Sequence, residues 1–309
     1  MELSVARHLG QFAGKELIYI PNPGNAGDSL IAAATYQLLD HLGLTYRTPR
    51  FQRLKAKDRI VVYGGGGNLV GPHTFCARVC REVHASAERL IILPHTIKNV
   101  TPLLREFGSN VDIFCREEPS YDYVRTHARK ANVFLADDMA LGLNAQDIRE
   151  PFSGLAGNLG LIIRYAKNKL LTDEGLPSWS NVVRATRRRT TRRRLHSYHN
   201  GDSLSCFRTD PEKSEFAIPP DNIDVSEVFK FGVNPKSIAF LSAFEVLQFL
   251  QRFKTIHTNR LHMAIGGALC GCQVKFYPNN YYKCRAVYLF SLAERYQNVE
   301  WMGEPDQGR

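Results

Sequence analysis

The feature that most restricts the fold of this chain is an alternation of apolar, strand-length runs with helix-length segments through its first half. The runs are "ELIYIP" (16–21), "DRIVVYGGGG" (58–67), "RLIILPHT" (89–96), "VDIFCREE" (111–118) and "NVFLADDMA" (132–140). Between the first two, "DSLIAAATYQLLDHLG" places Leu30, Ile31, Ala34, Leu38, Leu39 and Leu42 on one stripe of a helix. After the fourth, Glu117-Glu118-Pro119-Ser120 suits a first helical turn, with acidic residues at its positive end and proline where no N–H is needed. Such alternation predicts a parallel sheet covered by helices on both faces.

Near Ala145–Gly157 the pattern breaks into "NAQDIREPFSGLAGN", which offers turn residues and little periodicity. It then restarts. "LGLIIRYA" (159–166) reads as a strand, "SIAFLSAFEVLQFLQRF" (237–253) as a helix, "TIHT" (255–258) as a strand, and "GGALCGCQVKFYP" as a helix end followed by a strand. The expected architecture is α/β, with two Rossmann-like halves: residues 1–152 and 153–309. No internal sequence repeat marks the division.

Inside the second half, residues 178–202 form an insertion with seven arginines between Arg184 and Arg194 and no acidic residue among them. So dense a charge predicts a solvated segment, or one that contacts anions such as lipid headgroups. Aromatic interleaving and a nucleic-acid module are both missing from the run, which argues against nucleic acid. The whole chain carries a net charge of +10, so an anionic partner is expected. A hydrophobic fraction of 44% excludes a largely disordered protein. The first residues lack the layout of a secretory signal, and the seven scattered cysteines lack zinc-site spacing. Reduced thiols in a cytoplasmic protein are expected, packed rather than reactive.

In open parallel sheets, ligands bind beyond the C-terminal strand ends. "PNPGNAGDSLI" (21–31) joins a strand to a helix whose N-terminus offers free N–H groups, and Asp28 there either caps the helix or meets a sugar hydroxyl. The three-glycine dinucleotide fingerprint is absent. "YGGGGNLV" (63–70) puts Gly65, Gly66 and Asn68 where backbone could approach a ligand. His95 in "LPHTIKN" and the Asp137-Asp138 pair in "LADDMAL" also fall at strand ends. The sharpest signal is "TIHTNRLHMAIGGAL", where a strand hands over to a helix through Arg260, Leu261 and His262. Arginine there offers a planar fork for carboxylate or phosphate, and histidine a proton near neutral pH.

Taken in order, "PGNAGDSLI", "YGGGGNLV", "LPHTI", "CREEPSYDYV", "LADDMAL" and "TNRLHMAIGGAL" resemble the polysaccharide pyruvyl transferase family. The stretches "FRTDPEKSEFAIPPDNIDVS" and "NNYYKCRAVYLFSL" resemble the branch that adds ketal pyruvate to bacterial exopolysaccharide. The resemblance spans nearly the whole chain; the arginine run is its departure. It implies a GT-B-like pair of domains around a cleft, phosphoenolpyruvate as co-substrate, a sugar hydroxyl pair (on a polysaccharide or its lipid-linked precursor) as acceptor, and no metal or other cofactor. It further implies donor binding by Arg164, Arg260, Leu261 and His262, and acid–base roles for His262 and Asp28. The acceptor would face Asn25, Gly65, Gly66, Asn68 and His95. Outside the resemblance, Arg184–Arg194 is left as either a solvated insertion or a contact to a phosphorylated acceptor or to anionic lipid at the inner face of the cell membrane. The competing readings are a nucleotide-sugar glycosyltransferase of the same architecture and a non-catalytic anion-binding scaffold.

Overall fold

Apolar residues in unbroken succession produce strands buried on both faces. All four residues of Ile60–Tyr63 are buried, as are all five of Val111–Cys115. The computed structural model describes residues 4–152, 154–171, 175–198, 202–210 and 217–304. Residues 199–201 of the arginine-rich insertion, and 211–216 of the stretch at 207–226, lie outside the described residues.

A seven-stranded parallel sheet contains β1 (Glu16–Ile20), β2 (Thr45–Arg47), β3 (Ile60–Tyr63), β4 (Gly66–Leu69), β5 (Arg89–Ile97), β6 (Val111–Cys115) and β7 (Asn132–Leu135). The order is β2-β1-β3-β5-β6-β7, with β4 pairing β5 beyond the end of β3. Order reverses at β1, so its C-terminal end and that of β3 flank a topological switch point, where such sheets open a crevice. A second parallel sheet runs β11-β10-β9-β8, with β8 at Ser203–Cys206, β9 at Thr255–Thr258, β10 at Gln273–Phe276 and β11 at Val299–Trp301.

The helices of the first half are α1 (Val5–Gly10), α2 (Ala26–His41), α3 (Phe75–Val83), α4 (Thr101–Glu106) and α5 (Glu118–His127). Those of the second are α6 (Gly154–Leu171), α7 (Trp179–Thr186), α8 (Arg188–Tyr198), α9 (Val225–Val228), α10 (Lys236–Leu250), α11 (Leu261–Leu269) and α12 (Lys283–Val287). On one face of the first sheet, Ile18, Val61 and Ile113 pack with Val79 of α3 and Leu104 of α4. On the other, Leu17, Tyr19 and Val62 pack with Leu30 and Ile31 of α2, in a core that continues through α10 and α11 to Ile256 and Val274 of the second sheet. Each such Leu or Ile contributes about 1.5–3 kcal/mol when fully buried. The run Ile265-Gly266-Gly267-Ala268 has a packing cause: a Cβ on Gly267 would fall 2.9 Å from both Ile256 and Val274. Small residues let α11 lie directly on β9 and β10.

Two expectations fail here. "LGLIIRYA" is not a strand but the middle of α6, where Leu161 and Asn168 are buried, Tyr165 half-buried and the residues between exposed. A short apolar run fits either period, and the buried spacing of four and three is helical. The arginine insertion is not simply solvated either, for it forms α7 and α8. Arg188 is wholly buried, bonding Asn158 Oδ1 at 2.7 Å and pairing with Glu150 at 3.0 Å and Glu245 at 3.3 Å. Arg192 forks onto Glu245, and Arg184 donates to the carbonyls of Glu227 and Lys230. Glu245 lies on α10, far along the chain, so local composition could not announce it. All seven cysteines are free thiols, six of them buried and Cys270 half-buried. Among the described residues, no helix is long and apolar enough to cross a membrane.

Candidate active site

The C-terminal strand ends of both sheets border one cleft of about 280 Å³. The loop after β1 brings Asn25 and Asp28; β4 brings Gly67 and Asn68; Arg116 directly follows β6. From the second sheet, Arg208 follows β8, Arg260 and His262 follow β9, and Lys283 opens α12 after β10. Lys230 adds a further cation, while Asp28 and Glu227 are the carboxylates on the wall. Five arginine and lysine side chains and two carboxylates thus line the cleft.

Asn25 caps α2: its side chain accepts from Gly27 N at 2.8 Å, and its own N–H donates to Asp28 Oδ2 at 2.9 Å. This reciprocal box accounts for the spacing of Asn25 and Asp28 in sequence. The other Asp28 oxygen accepts from Asn22 Nδ2 at 3.1 Å, and Asn22 is held in turn by Tyr63 OH at 2.8 Å. Burial raises the Asp28 carboxyl pKa, which His262 and the Asn25 N–H only partly oppose. Asp28 therefore both caps the helix and presents a carboxyl that holds its proton more readily than usual.

His262 sits on the first turn of α11, with Nε2 3.4 Å from Asp138 Oδ2. The same oxygen receives Arg116 Nη1 at 2.6 Å, and Asp138 Oδ1 accepts from Ala140 N at 2.9 Å. Burial alone would raise the Asp138 carboxyl, yet His262 and Arg116 outweigh it and hold it below the usual carboxylate range. An ionised Asp138 thus fixes the orientation of the imidazole. The ring lies over the N-terminus of α2, where a Cβ on Gly27 would stand 2.6 Å from Nδ1. Similarly, a Cβ on Gly67 would stand 2.6 Å from Arg116 Nη2 and 3.6 Å from Lys283 Nζ, so this glycine opens the wall to two cations.

Of the residues singled out in the sequence, Asn25, Asp28, Asn68, Arg260, Leu261 and His262 meet in the cleft. Arg260 is 5% exposed, and its Nε donates to Asp224 Oδ1 at 2.7 Å while Nη2 reaches Asp224 and Asp210. Its fork is therefore held by carboxylates rather than standing open. His95 is fully buried behind the wall, its Nε2–H donating to Asn68 Oδ1 at 3.0 Å, and burial then Arg116 push its pKa down to about 3. A neutral His95 supports Asn68 and does not face the cleft. Gly65 and Gly66 lie behind it too, against the Pro94 carbonyl and the Asn22 side chain. Arg164 is the clear miss. It is exposed on α6, 3.3 Å from Ser237 Oγ, because the strand expected to deliver it is a helix.

Arg208 occupies the strand-end position in the second sheet that Arg164 was expected to fill, with its fork on Asp210. Sequence reasoning also passed over Arg116, Lys230 and Lys283. Arg116 had a signal, since it directly follows the strand "VDIFC" in a sheet whose strand ends form the site. Lys230 and Lys283 had none, being placed by tertiary contacts.

The fold and cleft define a parallel α/β protein with a cleft lined by arginine and lysine at a switch point, beside a histidine held by a carboxylate. The chain belongs to the polysaccharide pyruvyl transferase family, whose model matches residues 25–281, and is thereby a transferase. Among solved structures it is similar to a functionally uncharacterised protein from Klebsiella pneumoniae subsp. pneumoniae NTUH-K2044. The two share 27% identity with a TM-score of 0.71, over 97% of each chain. No curated protein matches it.

Proposed function

We propose that this protein transfers pyruvate from phosphoenolpyruvate to two hydroxyls of one sugar residue in a bacterial polysaccharide or its lipid-linked precursor, closing a cyclic ketal and releasing phosphate. The observation that carries this reading is the cationic cleft with His262 at its wall. Phosphoenolpyruvate brings about two negative charges on phosphate and one on carboxylate near neutral pH. Lys230 and Lys283, with the N–H groups at the start of α2, are the groups suited to it, and Arg208 and Arg260 join them only where the donor takes the place of Asp210 and Asp224 on their forks. The two sheets correspond to the donor and acceptor sides of a GT-B-like arrangement.

His262 is the acid in this reading. It protonates the methylene carbon of the donor, leaving C2 electron-deficient and stabilised by its phosphate ester oxygen. One sugar hydroxyl attacks C2 and surrenders its proton. Phosphate then departs with the C2–O bond pair, and a second hydroxyl of the same sugar adds to C2, losing its proton to close the ring. Asp28, with Asn25 and Asn68 beside it, is the candidate base on the acceptor side. Acid–base assistance of this type is worth roughly 100- to 10,000-fold in rate.

The test is thermal unfolding with phosphoenolpyruvate and, separately, with nucleotide sugars at matched ionic strength. A ligand at 100 times its Kd adds about 2.7 kcal/mol. Stabilisation by phosphoenolpyruvate is expected in wild type and in His262→Ala, with phosphate release on an acceptor polysaccharide lost only in the variant. Stabilisation by a nucleotide sugar alone, or equal turnover after His262→Ala, would overturn the proposal.

A further inference from the structure

The outer face of α6 is apolar and, among the described residues, its large side chains stay exposed. Leu161, Tyr165 and Asn168 turn this helix toward the body of the protein, while on its opposite side Leu159, Ile162, Ile163, Ala166 and Leu170 recur at helical spacing. Leu159 is 59% exposed, Ile163 56% and Leu170 80%, and the neighbouring Trp179 of α7, whose ring is 5.3 Å from that of Tyr165, is 54% exposed. Most of the large exposed apolar side chains described for this protein fall on this one segment, which makes it a contiguous patch rather than scattered surface. Lys167 borders the apolar face on one side and Lys169 on the other; α6 contains no acidic residue.

We infer that α6 is a membrane-docking helix, whose apolar face enters the headgroup boundary of an anionic lipid bilayer while Lys167 and Lys169 meet the lipid phosphates. An apolar face rimmed by lysines and accompanied by a tryptophan is the pattern of helices that lie in the interface plane. Charge decides against a second copy of this chain as the occupant. Two α6 helices brought face to face would set lysines and arginine near one another with no carboxylate of their own to pair them. Tyr165 on the inner side of α6 and Lys169 at its edge help line a hollow of about 360 Å³ that shares Pro23 with the cleft. A saccharide carried on a lipid in the same bilayer would approach the cleft that way. This last step rests on the pyruvyl-transfer reading; the lipid contact does not.

The experiment is co-sedimentation of the full chain with vesicles of phosphatidylcholine alone and of phosphatidylcholine with phosphatidylglycerol. Binding is expected only to the anionic vesicles, and the single variants Ile163→Asp and Leu170→Asp should each weaken it about tenfold or more. Both positions are exposed, so circular dichroism and the melting temperature should stay at wild-type values. Lys167→Glu/Lys169→Glu serves as an independent variant and should weaken binding without touching an apolar residue. Three results would overturn the inference: no sedimentation with either vesicle; sedimentation unchanged by the apolar variants and removed by salt alone, which is non-specific attraction to a basic protein; or a dimer in sedimentation velocity that Ile163→Asp dissociates.

Discussion

If the ring of His262 is positioned by the bare backbone of Gly27, then adding one methyl group at 27 should cost stability only while His262 is present. The backbone of Gly27 is on the first turn of α2 and needs no left-handed conformation. By itself, therefore, alanine should favour the folded state by about 0.5–1 kcal/mol. In the folded protein the new carbon would fall 2.6 Å from His262 Nδ1, 2.8 Å from its Cβ and 2.9 Å from its Cγ. Comfortable separations are roughly 3.5–4.0 Å, so the side chain must retreat by about 1 Å. Overpacking of this kind costs about 1–3 kcal/mol. Because the His262 Cβ is itself in the way, the control background is His262→Gly rather than alanine. Denaturant unfolding of the four proteins in the cycle should then show Gly27→Ala neutral to destabilising in wild type and stabilising in the His262→Gly background. The coupling should be about 1–3 kcal/mol. Where activity can be assayed, a displacement of about 1 Å should also lower turnover roughly 100-fold. Equal effects of Gly27→Ala in both backgrounds, to within about 0.5 kcal/mol, would refute the claim that this glycine makes room for the His262 ring.

Asp138→Asn keeps the shape of the side chain but removes the charge that faces His262 and Arg116, so it should destabilise the protein at neutral pH. The sign with pH follows from a carboxyl held below its usual range when folded. Its contribution is full above the unfolded value of about 3.9 and fades as pH falls below that, so the stability gap between wild type and Asp138→Asn should close on acidification. A gap that widens below pH of about 4 would contradict the assignment. For the arginine insertion, Arg188→Ala strands the buried Glu245 with Arg192 as its remaining partner and should cost about 3–5 kcal/mol in urea unfolding. Arg193→Ala, at an exposed position, should change stability by about 0.5 kcal/mol or less.

Much of the first half was legible because its signals are local. Continuous apolar runs marked β1, β3, β5 and β6, and "PNPGNAGDSLI" marked the start of α2, although the N-cap is Asn25 with Asp28 as its partner in the box. Short segments in the second half were harder. The run at 159–166 satisfied two periods at once, and β8, "SLSC", carries too few apolar residues to declare itself. The same division applies to the site. Arg260 and His262 were visible because strand and helix signals bracket them. The engagement of the Arg260 fork by Asp224 was not, since the two lie on separate elements of the second half.

By itself the sequence determined the class of fold, the family, and several of the strand-end residues that line the cleft, because apolar period, caps and strand-to-helix turns act over a few residues. The tertiary structure alone decided which charges face the cleft. Long-range packing brought Asp138 to His262, Glu245 to Arg188 and Lys283 to Gly67, and among the described residues it left one face of α6 exposed. Pairing and desolvation depend on distance in space, and residues 124 apart in sequence can share a proton's surroundings only after the chain has folded.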